Sequence, residues 1–360
     1  MTTGPARVAL VVLDAFCNDV VSPGLTPTLW RLATAGGRHP QGGIAELTAA
    51  TYPNHATFVT GASTVEHGIV ANRVLRDGAW VPASTVGPAR PTLFDRCRAA
   101  GRTSAAVVGD GYLIGVCGAG AADAHWPPGG ELPDDLGRNA TGYGRDADVI
   151  EALASVGTDP DLLLVQLDEV DAVRHVTGAR GDDALEQHRR TDAALGDLVE
   201  LLAPRWDETV LLVVSDHDQE DLTDTAPIDL RVGLAAAGHD VGAGAGTLAV
   251  ASQGTAAVVI GDVVDAVVDD VLLGIEGVAG VATLAPDVRV VWGPPGQRFG
   301  RHAGPLASEH GSPRTATQLA VVAGGHPAVR GLTRQLERRR PPATVWAAWV
   351  AELLDLPPAG

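Results

Sequence analysis

The sequence predicts an α/β fold, with a mostly parallel central sheet flanked by helices and a small β-α-β subdomain inserted late in the chain. Three observations predict it. Short β-branched apolar runs are continuous rather than alternating, which marks strands buried on both faces. Helical patterns fall between them, the rhythm of an α/β domain. Acidic and imidazole side chains follow directly after several of the runs, and in open α/β sheets a site gathers at the carboxyl ends of the strands.

The elements run in this order. Val8–Leu13 is a strand closed by Asp14, and Pro27–Ala35 a helix. The segment TAATYPNHATFVTG, residues 48–61, reads as a helix start carrying Thr51. Thr92–Ala100 is a helix and Ala105–Val108 a strand; Asp146–Ser155 is a helix and Leu162–Leu167 a strand ending in Asp168, Glu169 and Asp171. Asp183–Leu202 is a helix, and the strand Val210–Val214 runs into Asp216, His217 and Asp218. A Gly-rich stretch then leads to a hairpin signal, Gln253-Gly254-Thr255, between LAVAS and AAVVI. A helical pattern over Gly261–Leu273 and short strands near Val281 and at Val288–Trp292 complete an expected cap over residues 225–300, inserted in a discontinuous catalytic domain over residues 1–355. Leu319–Val322 is the last strand, and the basic segment Arg330–Arg340 reads as a solvated helix face.

A chain of 360 residues that is 45% hydrophobic and 19% charged buries a sizeable core, which excludes wholesale disorder. Its net charge of −18 excludes non-specific binding to duplex nucleic acid or anionic membrane. The sequence contains no Lys, so all 26 basic residues are Arg. Cys17, Cys97 and Cys117 form no CxxC pair, which argues for free thiols in a reducing compartment. The apolar run before Asp14 is too short for a signal peptide, and no stretch reaches the roughly 18 apolar residues of a membrane span. The expectation is a cytoplasmic protein of open oligomeric state.

Several residues carry chemistry. A hydroxyl at a helix start, Thr51, sits where backbone N–H groups and the helix dipole favour negative charge. It needs a base or a metal to become a nucleophile. Asp171 and His175, four apart, lie on one helix face and suit one ion. Asp216 and His217 are adjacent at a strand end, Asp14 ends another strand, and His310 lies in SEHG. Three Asp and three His suit Zn²⁺ or Mn²⁺. That is a sufficient set for two divalent ions about 3.5–4 Å apart, the arrangement that serves in-line displacement at phosphorus.

Taken in order, VVLDAF, TYPNH, HGIVAN, DAVRHVTG, VSDHD and SEHG resemble the motifs of the type I phosphodiesterase/nucleotide pyrophosphatase branch of the alkaline phosphatase superfamily. The resemblance covers most of the chain and implies an alkaline phosphatase-like fold. It implies that Asp14, Asp216 and His217 hold one ion, which also binds Thr51, and that Asp171, His175 and His310 hold the other. Asn72 would hydrogen-bond a non-bridging phosphoryl oxygen. Thr51 would form a phospho-threonine intermediate, with overall retention at phosphorus. A small nucleotide-type phosphodiester is the implied substrate, with Tyr52 stacking on a base and Trp126 of HWPPGG lining the pocket. His55 and His67 would shape the nucleophile loop. His302 and His326 compete for the third imidazole, but only His310 precedes Gly in the motif.

Two departures stand out. Asp218-Gln219 replaces the family's usual Gly-Met after S-D-H. Arg174 stands where Gly often precedes the metal-binding His, and is a candidate for reaching the substrate phosphate. Cys17 reads as a buried thiol rather than an extra ligand. A phosphomonoesterase or phosphonate hydrolase with the same metals is the alternative enzyme, although without Lys a phosphonoacetate-type substrate is disfavoured. Thr51 in the nucleophile position argues against a sulfatase or a mutase. A catalytically silent nucleotide-binding protein would have lost the nucleophile or a ligand, and none is missing.

Overall fold

Every residue of the first apolar run is buried, because the strand it forms lies in the middle of a sheet covered on both sides. The computed structural model describes residues 6–301 and 304–358. In chain order the strands used below are β1 (Arg7–Leu13), β2 (Gly37–Arg38), β3 (Ser104–Val108), β4 (Ala124–Trp126), β5 (Leu162–Leu167), β6 (Thr209–Val214), β7 (Ala249–Gln253), β8 (Ala256–Ile260), β9 (Gly280–Ala285), β10 (Val288–Trp292) and β11 (Ala320–Ala323). The helices are α1 (Pro27–Ala35), α2 (Thr51–Thr60), α3 (Leu93–Ala99), α4 (Asp146–Val156), α5 (Glu169–Thr177), α6 (Asp182–Leu202), α7 (Leu230–Ala236), α8 (Ala266–Gly274), α9 (Val329–Arg338) and α10 (Val345–Leu353).

The central sheet has seven strands in the order β2-β11-β6-β1-β5-β3-β4. From β6 to β4 neighbours are parallel; β11 runs antiparallel to β6, and β2 antiparallel to β11. Alternate residues of β1 feed two cores. Val8, Leu10 and Val12 join Phe58 of α2, Phe94 of α3 and Trp346 of α10. Ala9, Val11 and Leu13 join Leu29 of α1, Leu153 of α4 and Leu195 of α6. Each large aliphatic side chain so buried contributes about 1.5–3 kcal/mol, which is why an unbroken apolar run selects a doubly covered strand. No helix of the described residues is long and apolar enough to cross a membrane.

The inserted segment is richer than the expected β-α-β unit. It is a four-stranded antiparallel sheet, β7-β8-β10-β9, with helices α7 and α8. The reason is connection length: two residues join β7 to β8 and two join β9 to β10, and a link that short permits only antiparallel pairing. One face carries Ala257 and Val259 against Leu230, Leu234, Val268 and Leu272. The other carries Ala256, Val258, Val288 and Val290 onto Val70 and Ala71, immediately before Asn72.

Candidate metal centre

The parallel register puts the carboxyl ends of β1, β3, β5 and β6 on one edge, and each ends in acid: Asp14, Asp110, Asp168 and Asp216. Opposite them, α2 presents Thr51 at its first turn and α5 presents Asp171 and His175 one turn apart. The loop before β11 brings in His310. His217 Nε2 lies 3.2 Å from Asp216 Oδ2, 3.7 Å from Asp14 Oδ1 and 3.2 Å from Thr51 Oγ1. His175 Nε2 lies 3.2 Å from Asp171 Oδ2. The His310 ring stacks on His217 at 3.9 Å between centroids and sits 5.3 Å from His175.

Three groups place donor atoms within 4.8 Å of one another: Asp14, Asp216 and His217; Asp171, His217 and His310; and His175, Glu309 and His310. Asp14 Oδ1 and Asp216 Oδ2 are buried without a hydrogen-bond donor. A buried acceptor left unpaired costs about 1–3 kcal/mol, more when charged, and a shared cation is the partner this chemistry calls for. The donor set therefore fits divalent ions. Burial, reinforced by neighbouring Asp216, holds the Asp14 carboxyl well above the usual range. Burial pushes Asp216 up to about 7. Asp171 goes the other way: burial is outweighed by His175, His310 and His217, which hold it far below the usual range. Against burial, Asp171 in turn raises His175 to about 10.

A second layer of hydrogen bonds aims these groups. Nδ1 of His175 donates to the Ser308 carbonyl at 2.9 Å, and Nδ1 of His217 to the Asp218 carbonyl at 3.2 Å, leaving each Nε2 directed into the site. Gln166 Nε2 donates to Asp14 Oδ2 at 2.9 Å and to Asp168 Oδ1 at 3.1 Å. The backbone N–H groups of Ala15 and His217 both reach Asp216 Oδ1 at 3.0 Å. Gln219 Nε2 donates to Asp171 Oδ1, while its Oε1 accepts from Ser308 Oγ. His55 Nδ1 sits 2.9 Å from the Thr51 carbonyl and 3.5 Å from Asp216 Oδ2. His67 Nε2 lies 3.0 Å from Thr57 Oγ1.

In front lies a cleft of about 310 Å³, lined by Thr51, Tyr52, Asn72, Tyr143, Glu309 and, from the cap, Ser252, Gln253 and Gly254 among others. The Asn72 backbone N–H donates to Gln253 Oε1 at 3.3 Å, so the cap sets the loop that carries Asn72. The Tyr52 hydroxyl is held above its usual range by burial, reinforced by Asp110 and Tyr143.

Two expectations for substrate contacts are corrected. Arg174 does not face the cleft. It is fully buried, and donates to the carbonyls of Ala15 and Ala179 and, at 2.6 Å, to Asp218 Oδ1. A buried guanidinium must be paired, and this one runs back beneath the strand-end loops to find its partner. Trp126, at the edge of the sheet, packs against the core on the α4 side and borders a separate groove with Pro133 and Leu136. Asp218 adds no charge to the metal groups, because Arg174 and Arg180 hold it at 2.6 and 2.8 Å and keep its carboxyl below the usual range despite its burial.

Of the competing imidazoles, His326 lies at the opposite end of the sheet, its N–H on the Thr209 carbonyl where β6 begins. His302 lies outside the described residues. All three cysteines are free and buried. Cys17 accepts from Arg180 at 2.9 Å, and burial pushes its thiol up to about 12. Sequence reasoning missed Gln166, Glu309, Asp110 and Tyr143, of which Asp110 alone carried a signal, closing an apolar run like the other strand-end acids; Gln219 stands out in the sequence only as a departure, without a role.

The sequence model of the type I phosphodiesterase/nucleotide pyrophosphatase family matches residues 8–273. The chain belongs to that family. It is 27% identical over 252 residues to an uncharacterized pyrophosphatase/phosphodiesterase of Schizosaccharomyces pombe, covering 65% of this chain and 49% of the relative. The chain thus spans about half the length of that relative. Among solved structures it resembles murine ectonucleotide pyrophosphatase/phosphodiesterase 5 in an inactive form with AMP (TM-score 0.73, 18% identity, 98% of this chain and 96% of that one). It also resembles phosphonoacetate hydrolase of Sinorhizobium meliloti 1021 in complex with phosphonoacetate (TM-score 0.69, 16% identity, 98% and 97%). At these identities the likeness is one of fold.

Proposed function

We propose that the protein is a two-metal phosphodiesterase or nucleotide pyrophosphatase acting on small nucleotide-type phosphodiesters through a phospho-threonine intermediate. The observation that carries this is the position of Thr51 Oγ1, at the first turn of α2 and 3.2 Å from the Nε2 of a histidine grouped with Asp14 and Asp216. Asp14, Asp216 and His217 would hold one divalent ion, Zn²⁺ or Mn²⁺, and Asp171, His175 and His310 the other. Bound there, such ions neutralise phosphoryl charge and lower the pKa of a hydroxyl or water.

The residues do the rest. Thr51 Oγ forms a bond to phosphorus as the bond to the leaving alkoxide breaks, and water then displaces Thr51 in a second in-line step, so configuration is retained. The N-terminal amides of α2 favour the negative charge gathered there. Asn72, its backbone fixed by Gln253, donates to a non-bridging oxygen. Tyr52 and Tyr143 offer aromatic surface to a base. The murine relative's AMP complex supports a nucleotide-type ligand. The phosphonoacetate bound to the bacterial relative supports the alternative of a phosphonate hydrolase, but among the described residues no Arg lines this cleft to receive a carboxylate. Free, buried thiols support a cytoplasmic setting. The partner is a small molecule rather than duplex nucleic acid, given the net charge of −18.

The test is a panel of bis-p-nitrophenyl phosphate, p-nitrophenyl-TMP and p-nitrophenyl phosphate with protein reconstituted with Zn²⁺ or Mn²⁺. Diester turnover exceeding monoester turnover is expected. No turnover of any ester at a metal content near two per chain would refute the activity, and a strong monoester preference would overturn the substrate class.

A further inference from the structure

We infer that Glu309 is a specificity-determining residue, whose carboxylate, beside His175 and His310 at the cleft, penalises any ligand that brings a second negative charge to the phosphoryl centre. This rests on the reading of the site as a metal-dependent phosphoryl hydrolase.

Glu309 lines the same cleft as Thr51 and Asn72. Its backbone is pinned: Ser308–Glu309 pairs antiparallel with Glu220–Asp221, and the next carbonyl, of His310, accepts from Thr255 N at 2.8 Å. A carboxylate oxygen lies within 4.8 Å of ring nitrogens of His175 and His310, yet the carboxylate makes no hydrogen bond or ion pair with a described residue. The cap leaves room for it. Gly254 has φ +57°, and a Cβ there would lie 2.5 Å from Glu309 Oε2 and 2.4 Å from the His310 carbonyl oxygen.

Charge balance gives this placement its consequence. Two divalent ions bring four positive charges, the three ligand aspartates offset three, and Glu309 offsets the fourth. Among the described residues the cleft lining adds Asp110 and Asp168 and no Arg, and the chain has no Lys. A monoanionic diester therefore brings one negative charge to a site with no positive charge left over, and a dianion brings two. A dianion, or a phosphonate bearing a carboxylate, sets its extra charge against Glu309.

The experiment measures binding, so it does not depend on turnover. Dissociation constants of inorganic phosphate, a dianion above neutral pH, and of dimethyl phosphate, a monoanion, are determined by calorimetry on Zn²⁺-reconstituted wild type and Glu309→Gln at pH 8. Bound zinc is measured in parallel. The expected result is that Glu309→Gln tightens phosphate by about tenfold more than dimethyl phosphate, and that the difference shrinks as salt is raised, with zinc content kept. Equal changes for the two anions would overturn the inference. So would loss of zinc from Glu309→Gln, which would make Glu309 an ion ligand instead. If the protein turned over no ester but the charge-selective shift in binding held, the proposed activity would fall and this inference would stand.

Discussion

Gln219→Met isolates the hydrogen bonds that aim the Asp171 side of the metal centre. Methionine keeps the length and approximate volume of the side chain, so cavity effects are small. What disappears is the amide: its donation to Asp171 Oδ1 and to the Asp171 carbonyl at 3.3 Å, and its acceptance from Ser308 Oγ. Ser308 keeps a second acceptor, the Arg174 carbonyl at 2.7 Å, so its hydroxyl is not orphaned. Asp171 Oδ1 is, and a lost hydrogen bond to a charged group is worth about 1.5–3 kcal/mol. At about 1.4 kcal/mol per decade, that is roughly 10–100-fold in affinity for the ion proposed at Asp171, His175 and His310, the range seen when outer partners of metal ligands are removed. The Asp14–Asp216–His217 group is oriented by Gln166 and backbone amides instead, so its ion is expected to bind as before. Competition with a graded series of chelators, followed by metal analysis, resolves two affinities per chain. One should weaken and the other hold, with the fold intact by circular dichroism. Equal loss at both sites, or none at either, would refute the reasoning.

Thr51→Ala removes the attacking oxygen but no imidazole or carboxylate, so diester turnover should fall by about 10³ or more while metal content stays near wild type; retained turnover would exclude Thr51 as the nucleophile. Asn72→Ala removes one donor to the phosphoryl group and should cost about 2–4 kcal/mol in kcat/KM, read by steady-state kinetics. Gly254→Ala places a Cβ 2.4 Å from the His310 carbonyl oxygen in a left-handed conformation, and should lower both thermal stability and metal affinity. Metal uptake should release protons and weaken as pH falls. Asp171 raises His175 to about 10, so below that pH an incoming ion must displace its proton; calorimetry in buffers of different ionisation enthalpy measures the release.

Much of this candidate site was legible because its expected ligands end apolar strands or sit one helical turn apart, and both signals are local. Asp14, Asp216 and His217 converge as the register of β1 and β6 requires, and Asp171 and His175 meet because α5 spaces them. Gln166 was hidden inside an apolar run, LLLVQL, where it reads as a strand residue. Gln219 acts on Asp171, 48 positions away, and Glu309 meets His175 from a still more distant part of the chain, which no spacing rule reaches. The same limit misplaced Trp126: its motif suggested a pocket, whereas pairing with Val107 on β3 sets it beside the core on the α4 side. The short strands β2 and β4 carry too few residues to show a period, and α10, buried through most of its length, lacks the polar stripe that marks a helix.

The two departures from the family's motifs explain one another. Arg174 and Asp218 each stand where relatives usually have Gly, and they are joined at 2.6 Å across 44 positions. Arg174 has no exposure to water, and among the described residues Asp218 is its one carboxylate partner. Breaking a buried pair from one side costs about 3–5 kcal/mol, because the remaining charge is left uncompensated. Arg174 does not fit well without Asp218, whereas Asp218 also pairs with Arg180. Together they form a strut: Arg174, next to His175, reaches the Ala15 carbonyl beside Asp14, while Asp218 follows His217 directly. The ion pair and the hydrogen bond to Ala15 thus tie α5 to the ends of β6 and β1, the three elements that supply five of the six expected ligands. The extra acid near the metals and the extra base near the substrate, taken separately, suggest altered chemistry. Taken as a pair, they are scaffolding for the ordinary ligand set.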